Sequence, residues 1–192
     1  MDFFSSDLFV QPKRGDLLIS EPYLPDHNFE RTVILVCDHD EKNGSIGFIL
    51  NKPISSRLCD LLKNQNLKNR VFNGGPVLRN SLHFIHRDHG QRHQSKEIID
   101  GVYWAGDFDD MIFRLESGLC KPSHVKFFTG YAGWSPNQLV EELKQKSWIV
   151  CNELDMSMIF EVSPKVMWSE VLKRMGGKFK MIADYPLDPR LN

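Results

Sequence analysis

The chain has 192 residues, a length that suits one domain with its own apolar core and no disulfide or metal staple. Hydrophobic residues make up 41% and charged residues 26%, with a formal net charge of −1. That balance excludes a disordered polar chain, and it lacks the basic excess of a general nucleic-acid binder, which would here need a local patch.

The N-terminal stretch MDFFSSDLFVQPKRGD has no basic start followed by a long apolar run, so it does not read as a secretory signal. No run reaches the roughly 20 apolar residues of a membrane helix. The expectation is a cytoplasmic protein with no membrane partner. Residues 16–20 (DLLIS) read as a strand, and 32–38 (TVILVCD) as a second. The polar HDEKNG turn joins the second to 45–51 (SIGFILN) as a hairpin, which Lys52-Pro53 ends. Ser55 or Ser56 is placed to cap a short helix over 57–63, with Leu58, Leu61 and Leu62 on one face. The Asn73-Gly74-Gly75-Pro76 turn separates Val71-Phe72 from a strand near 81–86. RDHGQRHQSKE reads as an exposed hairpin loop, and 98–104 as one further strand.

Asp107 is a good N-cap for a helix carrying Phe108, Met111, Ile112 and Leu115, and Gly118 stands at its C′ position. Residues 125–129 read as a strand, GYAG (130–133) as a loop, and the following helix runs to about Lys146. Residues 147–152 form another strand, and 156–160 fit no single pattern. Ser163-Pro164 opens a last helix that Gly176-Gly177 stops, and the tail KMIADYPLDPRLN adds a short strand and then extended chain. Hairpin-linked strands mixed with about four helices argue for an α+β fold in a single domain over 1–192, with 1–14 a loosely ordered N-terminal segment.

Several motifs invite chemistry. Cys37, Cys59, Cys120 and Cys151 are far apart, with no C-x-x-C pair, and read as buried free thiols. Asp107, Asp109 and Asp110 could hold magnesium, but a cap and first-turn acids account for them. His83, His86, His89 and His93 could hold a metal, yet the first two have odd strand spacing and so face opposite sides. Solvated loop histidines are the plainer account, with a weak anion-attracting patch as the runner-up. No metal, cofactor or catalytic residue is assigned.

The stretch FFTGYAGWSPNQLVEEL (127–143) raises a sharper choice. A G-x-S-x-G nucleophile elbow would need glycine at position 137, where Asn137 stands, and Pro136 follows the serine directly. A capping box fits better, with Ser135 as N-cap, Pro136 at N1, Gln138 reaching back to the serine amide and Trp134 stapling onto Leu139. GYAG is then the unexplained half. If Asn51, the Gly74-Gly75 turn and Gly130, Tyr131 and Gly133 share one end of the sheet, they line a cleft. These six residues are the candidate ligand site.

GDLLISEPYL, F-x-R-T-V-I-L, GFILNKP, NGGPV, FFTGYAGWSPNQL and the C-terminal P-L-D-P-R-L-N occur in one order from about Gly15 to Asn192. Together they resemble the YqgE/AlgH family. The resemblance implies a soluble bacterial α+β domain, with helices packed outside a bent, barrel-like, mostly antiparallel sheet. It implies a link to gene regulation through the label some members carry, and no established activity. Two positions depart from the family pattern. Ser135 stands where the family motif GWGPGQL has glycine, which agrees with a cap and not a nucleophile, and NRP becomes Asn51-Lys52-Pro53.

The first functional expectation is therefore a non-enzymatic binding or regulatory module for a small molecule, nucleotide or protein. The alternative is an enzyme acting on a small phosphorylated or carboxylated metabolite. A third reading is nucleic-acid binding through Arg87, Arg92 and Lys96 together with the 63–70 segment. Direct reading of DNA is disfavoured, because the sequence shows no helix-turn-helix pair and no basic recognition helix.

Overall fold

The computed structural model describes residues 11–153 and 155–186, so the start of the 1–14 segment and the extended tail lie outside the described residues. Ten strands and six α-helices occur among the described residues, where about four helices were expected. The strands are β1 (Leu17–Ser20), β2 (Val33–Asp40), β3 (Gly44–Ile49), β4 (Pro53–Arg57), β5 (Arg70–Asn73), β6 (Val77–His86), β7 (Lys96–Ile99), β8 (Val102–Trp104), β9 (Val125–Trp134) and β10 (Trp148–Cys151). The helices are α1 (Leu58–Leu62), α2 (Phe108–Glu116), α3 (Gln138–Lys144), α4 (Met156–Phe160), α5 (Met167–Met175) and α6 (Gly177–Ile182).

One mostly antiparallel sheet runs in the order β10-β1-β2-β3-β9-β6-β8-β7. The expected β2–β3 hairpin forms, with a bulge near Cys37 and Leu35 facing Phe48 across the ladder. Strand β9 is the hinge of the topology. One edge pairs along β6, while the other pairs first with β5, in parallel over Phe127–Thr129, and then with β3 over Ala132–Trp134. The sheet bends until β7 lies back on β2, where Lys96 and Asp38 form an ion pair at 2.6 Å. The expected bend is present, but the sheet does not close into a barrel, because no ladder joins β7 to β2 among the described residues.

Three apolar clusters follow from this bend. The interior cluster gathers Leu17, Val33, Leu35, Phe48, Leu50, Phe72, Ile85, Ile98 and Phe128. Helices α4, α5 and α6 cover one end of it with Met158, Ile159, Met167, Trp168, Val171, Leu172 and Ile182. Helix α3 packs Leu139 on the outer face with Trp134 and Trp148, and Met111 of α2 joins Leu58, Val71, Phe84 and Phe127.

Several local expectations need correction. Residues 53–57 are a strand paired with β5, so the α1 cap is Arg57, whose amide donates to Asp60 at 2.7 Å, and Leu61 is exposed. The 98–104 run is two strands broken at Asp100-Gly101. The HGQRHQ loop winds into a 3-10 turn whose Gln91 is buried and donates to Asp107 and Asp110. Asp107 does cap α2, accepting from the Asp110 amide at 2.9 Å. Ser163-Pro164 form a turn ahead of α5, which starts at Met167. Gly176-Gly177 redirect the chain into helix α6, not a strand, because Ile182 and Phe179 pack back on the interior cluster. Of the cysteines, Cys37, Cys120 and Cys151 are buried and free, while Cys59 is half-buried.

Candidate functional site

GYAG is not a loop. It lies within β9, and the glycine signal marks the point where that strand changes partner. Gly130 takes φ +66°, and a Cβ there would lie 2.7 Å from the carbonyls of Gly75 and Val77. Gly75, at φ +153°, would strike the Tyr131–Ala132 peptide, and Gly74 would strike the Gly130 carbonyl. Two backbones thus cross at a separation only glycine permits. The Gly74 amide donates to Thr129 and its carbonyl accepts from Ile49. The 73–75 turn and the 130–133 stretch do meet, but Gly74, Gly75 and Gly130 are buried against backbone, and the Asn51 side chain turns away to Val33 and Arg31.

Asn51 is a clamp by its contacts. It is buried, its Oδ1 accepts from the Val33 amide at 3.0 Å, and its Nδ2 donates to the Arg31 carbonyl at 2.9 Å. Both bonds fix the start of β2. The basic residues are largely paired: Arg87 meets Glu161 at 3.0 Å, Lys96 meets Asp38, and Arg92 Nε donates to His93 at 3.3 Å. Arg114 bonds Asp88, and although burial opposes it, that guanidinium holds the Asp88 carboxyl below its usual range.

The SPNQL start differs in detail from the expected cap. Gln138 does reach back to the Ser135 amide, at 2.9 Å. The N-cap, however, is Asn137 in the left-handed conformation at φ 64°, with no side-chain cap bond. Trp134 spends its indole N–H on Glu142, at 2.9 Å, and shares that carboxylate with Trp148.

Tyr131 belongs to a different grouping. At the end of the interior away from α5, its ring meets His83 edge-on, with centroids 5.8 Å apart. His83 and Trp104 both pack on Phe48, at 5.3 and 6.0 Å. Phe48 is fully buried, while Tyr131, His83 and Trp104 are half-buried. Gly133 lets the Tyr131 ring lie along the strand, since a Cβ there would touch the ring at 3.0 Å. Ser81 Oγ holds His83 Nε2 at 2.8 Å, and burial pushes the His83 pKa below its usual value. His86 faces the other way, toward Ser95 and the Ala105 carbonyl, as the odd spacing predicts.

Lys126 is the residue that sequence reasoning missed. It lies on the interior side of β9 and is only 8% exposed. Its Nζ donates to the Leu50 carbonyl at 3.2 Å and stands 4.4 Å over the Phe72 ring. Among the described residues no carboxylate pairs with it. Burial alone brings its pKa down to about 7. The one available signal was VKFF, a lysine inside a run that is apolar on both faces of a strand.

The family model described as DUF179, AlgH-like, matches residues 17–180. The chain belongs to the AlgH-like family. A UPF0301 protein of Cytophaga hutchinsonii is 40% identical over 181 residues, covering 93% of this chain and 98% of its own. One from Chlorobium chlorochromatii is 37% identical over 185 residues, covering 96% and 97%. AlgH from Pseudomonas aeruginosa has a solution structure with TM-score 0.72 at 24% identity, covering 90% of this chain and 94% of that one. A crystal structure from Corynebacterium diphtheriae gives 0.76 at 19% identity, covering 95% and 97%. At these identities the two structures establish the AlgH-like fold alone. No helix among the described residues is long and apolar enough to cross a membrane.

Proposed function

We propose that this protein is a non-enzymatic binding module that takes a small planar ligand, such as a nucleobase or a similar heteroaromatic ring, beside Tyr131. The observation that carries the reading is the half-buried trio Tyr131, His83 and Trp104 on the buried Phe48. Aromatic rings that are neither buried nor free offer stacking surface without a large ordering cost. His83 Nδ1 and the Tyr131 hydroxyl supply polar edges, and the Lys96–Asp38 ion pair borders the trio through the β7–β8 ladder, where Lys96 faces Trp104. The buried glycine crossing holds this end in shape, while Asn51 fastens the start of β2 near α5, where Arg31 stacks on Trp168, so the other candidate residues take supporting roles at two separate places. A gene-regulatory link would run through ligand-dependent binding to another protein.

The test is thermal denaturation against a panel of nucleosides, nucleotides and aromatic metabolites. A ligand present at about 100 times its Kd stabilises by about 2.7 kcal/mol, a readily measured rise in Tm. The expected outcome is a hit abolished by Tyr131→Leu and Trp104→Leu and kept in Lys126→Met. A panel without any hit, or a hit indifferent to both aromatic substitutions, refutes the site.

A further inference from the structure

We propose that Lys126 is a nucleophilic amine that forms an imine with a small uncharged aldehyde or ketone, at the helix-covered end of the interior. The location is independent of the aromatic trio. A stack of rings separates the two, with Phe72 6.0 Å from Phe128 and Phe128 4.8 Å from Phe48.

Three features of the geometry support this. First, the amine stands between the Leu50 carbonyl and the Phe72 ring, two members of the interior apolar cluster, with no carboxylate to hold a proton on it among the described residues. A lysine in such surroundings releases its proton far more readily than one in water, and a neutral amine is the nucleophile. Second, the Leu50 carbonyl takes one N–H at 3.2 Å. That bond orients the nitrogen and leaves its lone pair free. Third, the face of Phe72, 4.4 Å away, attracts a cation at this nitrogen, so a protonated imine formed there keeps the partner that the ammonium has. An apolar plug would do better with methionine, which fills similar space without a charge to desolvate. The apolar lining selects an uncharged reactant.

The balance is simple. The Nζ lone pair attacks the carbonyl carbon, and the carbonyl π electrons move to oxygen. A proton passes from nitrogen to that oxygen, giving a carbinolamine. The hydroxyl then leaves as water with the remaining N–H proton, nitrogen and carbon become doubly bonded, and protonation of the imine takes one proton from solvent. No oxidant or reductant is consumed.

The experiment treats the full chain with butanal and cyanoborohydride at about pH 7 and maps alkylated lysines by peptide mass spectrometry. An ordinary lysine, with pKa about 10.4, is neutral there only about once in 2,500 molecules. Lys126 is therefore expected to alkylate at least about tenfold faster than any surface lysine, behind no group but the N-terminal amine. Lys126→Arg should lose that adduct and keep its circular dichroism spectrum. If the variant does not fold, the wild-type map decides alone. Lys126 left unmodified, modified only in urea, or no faster than the surface lysines would overturn the proposal.

Discussion

Lys126 and Asn51 both place polar atoms in buried ground, and the fold treats them differently. Asn51 has its amide oxygen bonded to the first residue of β2 and its amide nitrogen to the Arg31 carbonyl just ahead of that strand. Removing it strands the Val33 amide and the Arg31 carbonyl, so Asn51→Ala should cost about 1–3 kcal/mol in urea unfolding. No loss would show that water replaces the clamp. Lys126 carries the opposite sign. Its folded pKa of about 7 lies below the ordinary 10.5, so between those values the unfolded chain holds a proton that the folded chain has released. Raising the pH through that window strips the unfolded state, and the fold gains about 1.4 kcal/mol for each unit of pH. Below about pH 7 both states are protonated and the penalty is constant. At about pH 6 Lys126→Met should therefore be more stable than wild type by about 2–4 kcal/mol, and the gap should close toward about pH 10. Urea midpoints of both proteins across that range check this, and a gap independent of pH would contradict a buried, uncompensated amine.

At the level of elements, strand β9 is where sequence and structure part. The β2–β3 hairpin and the α2 boundaries were legible because their determinants are local: an Asn-Gly turn, an aspartate cap, a glycine after the last turn. GYAG read as a loop because glycine is a turn signal, whereas here it marks two strands passing at backbone distance. That reason depends on the 73–75 segment and could not be seen from 130–133. Lys126 was illegible for a related cause, since lysine reads as solvent-facing until the parallel β5 partner and the Leu50 turn close over it. The crossing makes a paired prediction. Gly118 also has positive φ, +74°, but a Cβ there meets nothing within 4 Å. Gly118→Ala should cost only the left-handed strain, about 1 kcal/mol, while Gly130→Ala adds two carbonyl clashes and should cost at least about 3 kcal/mol. Equal losses would mean that the crossing relaxes freely. Ser135→Ala, by contrast, should stay within about 0.5 kcal/mol, because the α3 cap is Asn137 and the Gln138 contact uses the serine backbone.

Over the whole molecule, the bent sheet cannot close on itself, and the C-terminal helices make up the difference. The sheet interior runs from Phe48 to Leu50 and Phe72, and α4, α5 and α6 seal its far end. They are tied in by more than apolar contact. Trp168 Nε1 donates to the Ser20 carbonyl at 3.1 Å, and the Arg31 guanidinium stacks on Trp168 at 4.6 Å while donating to the Tyr185 and Pro186 carbonyls. Burying each of Met158, Ile159, Met167, Trp168, Val171, Leu172 and Ile182 contributes about 1.5–3 kcal/mol. Their sum is of the order of the whole stability of a domain this size, about 5–15 kcal/mol. The helices are thus part of the fold and not an appendage to it. A chain ended after Asn152 keeps the ten strands found among the described residues yet should fail to fold. It should lose near-ultraviolet dichroism, bind a hydrophobic dye and show no cooperative urea transition. Supplying residues 153–192 as a separate peptide should restore a cooperative transition, because the sheet then recovers its missing cover. A truncated chain that unfolds cooperatively by itself would mean that the ten strands hold a core of their own, and that the open end of the sheet is free for some other occupant.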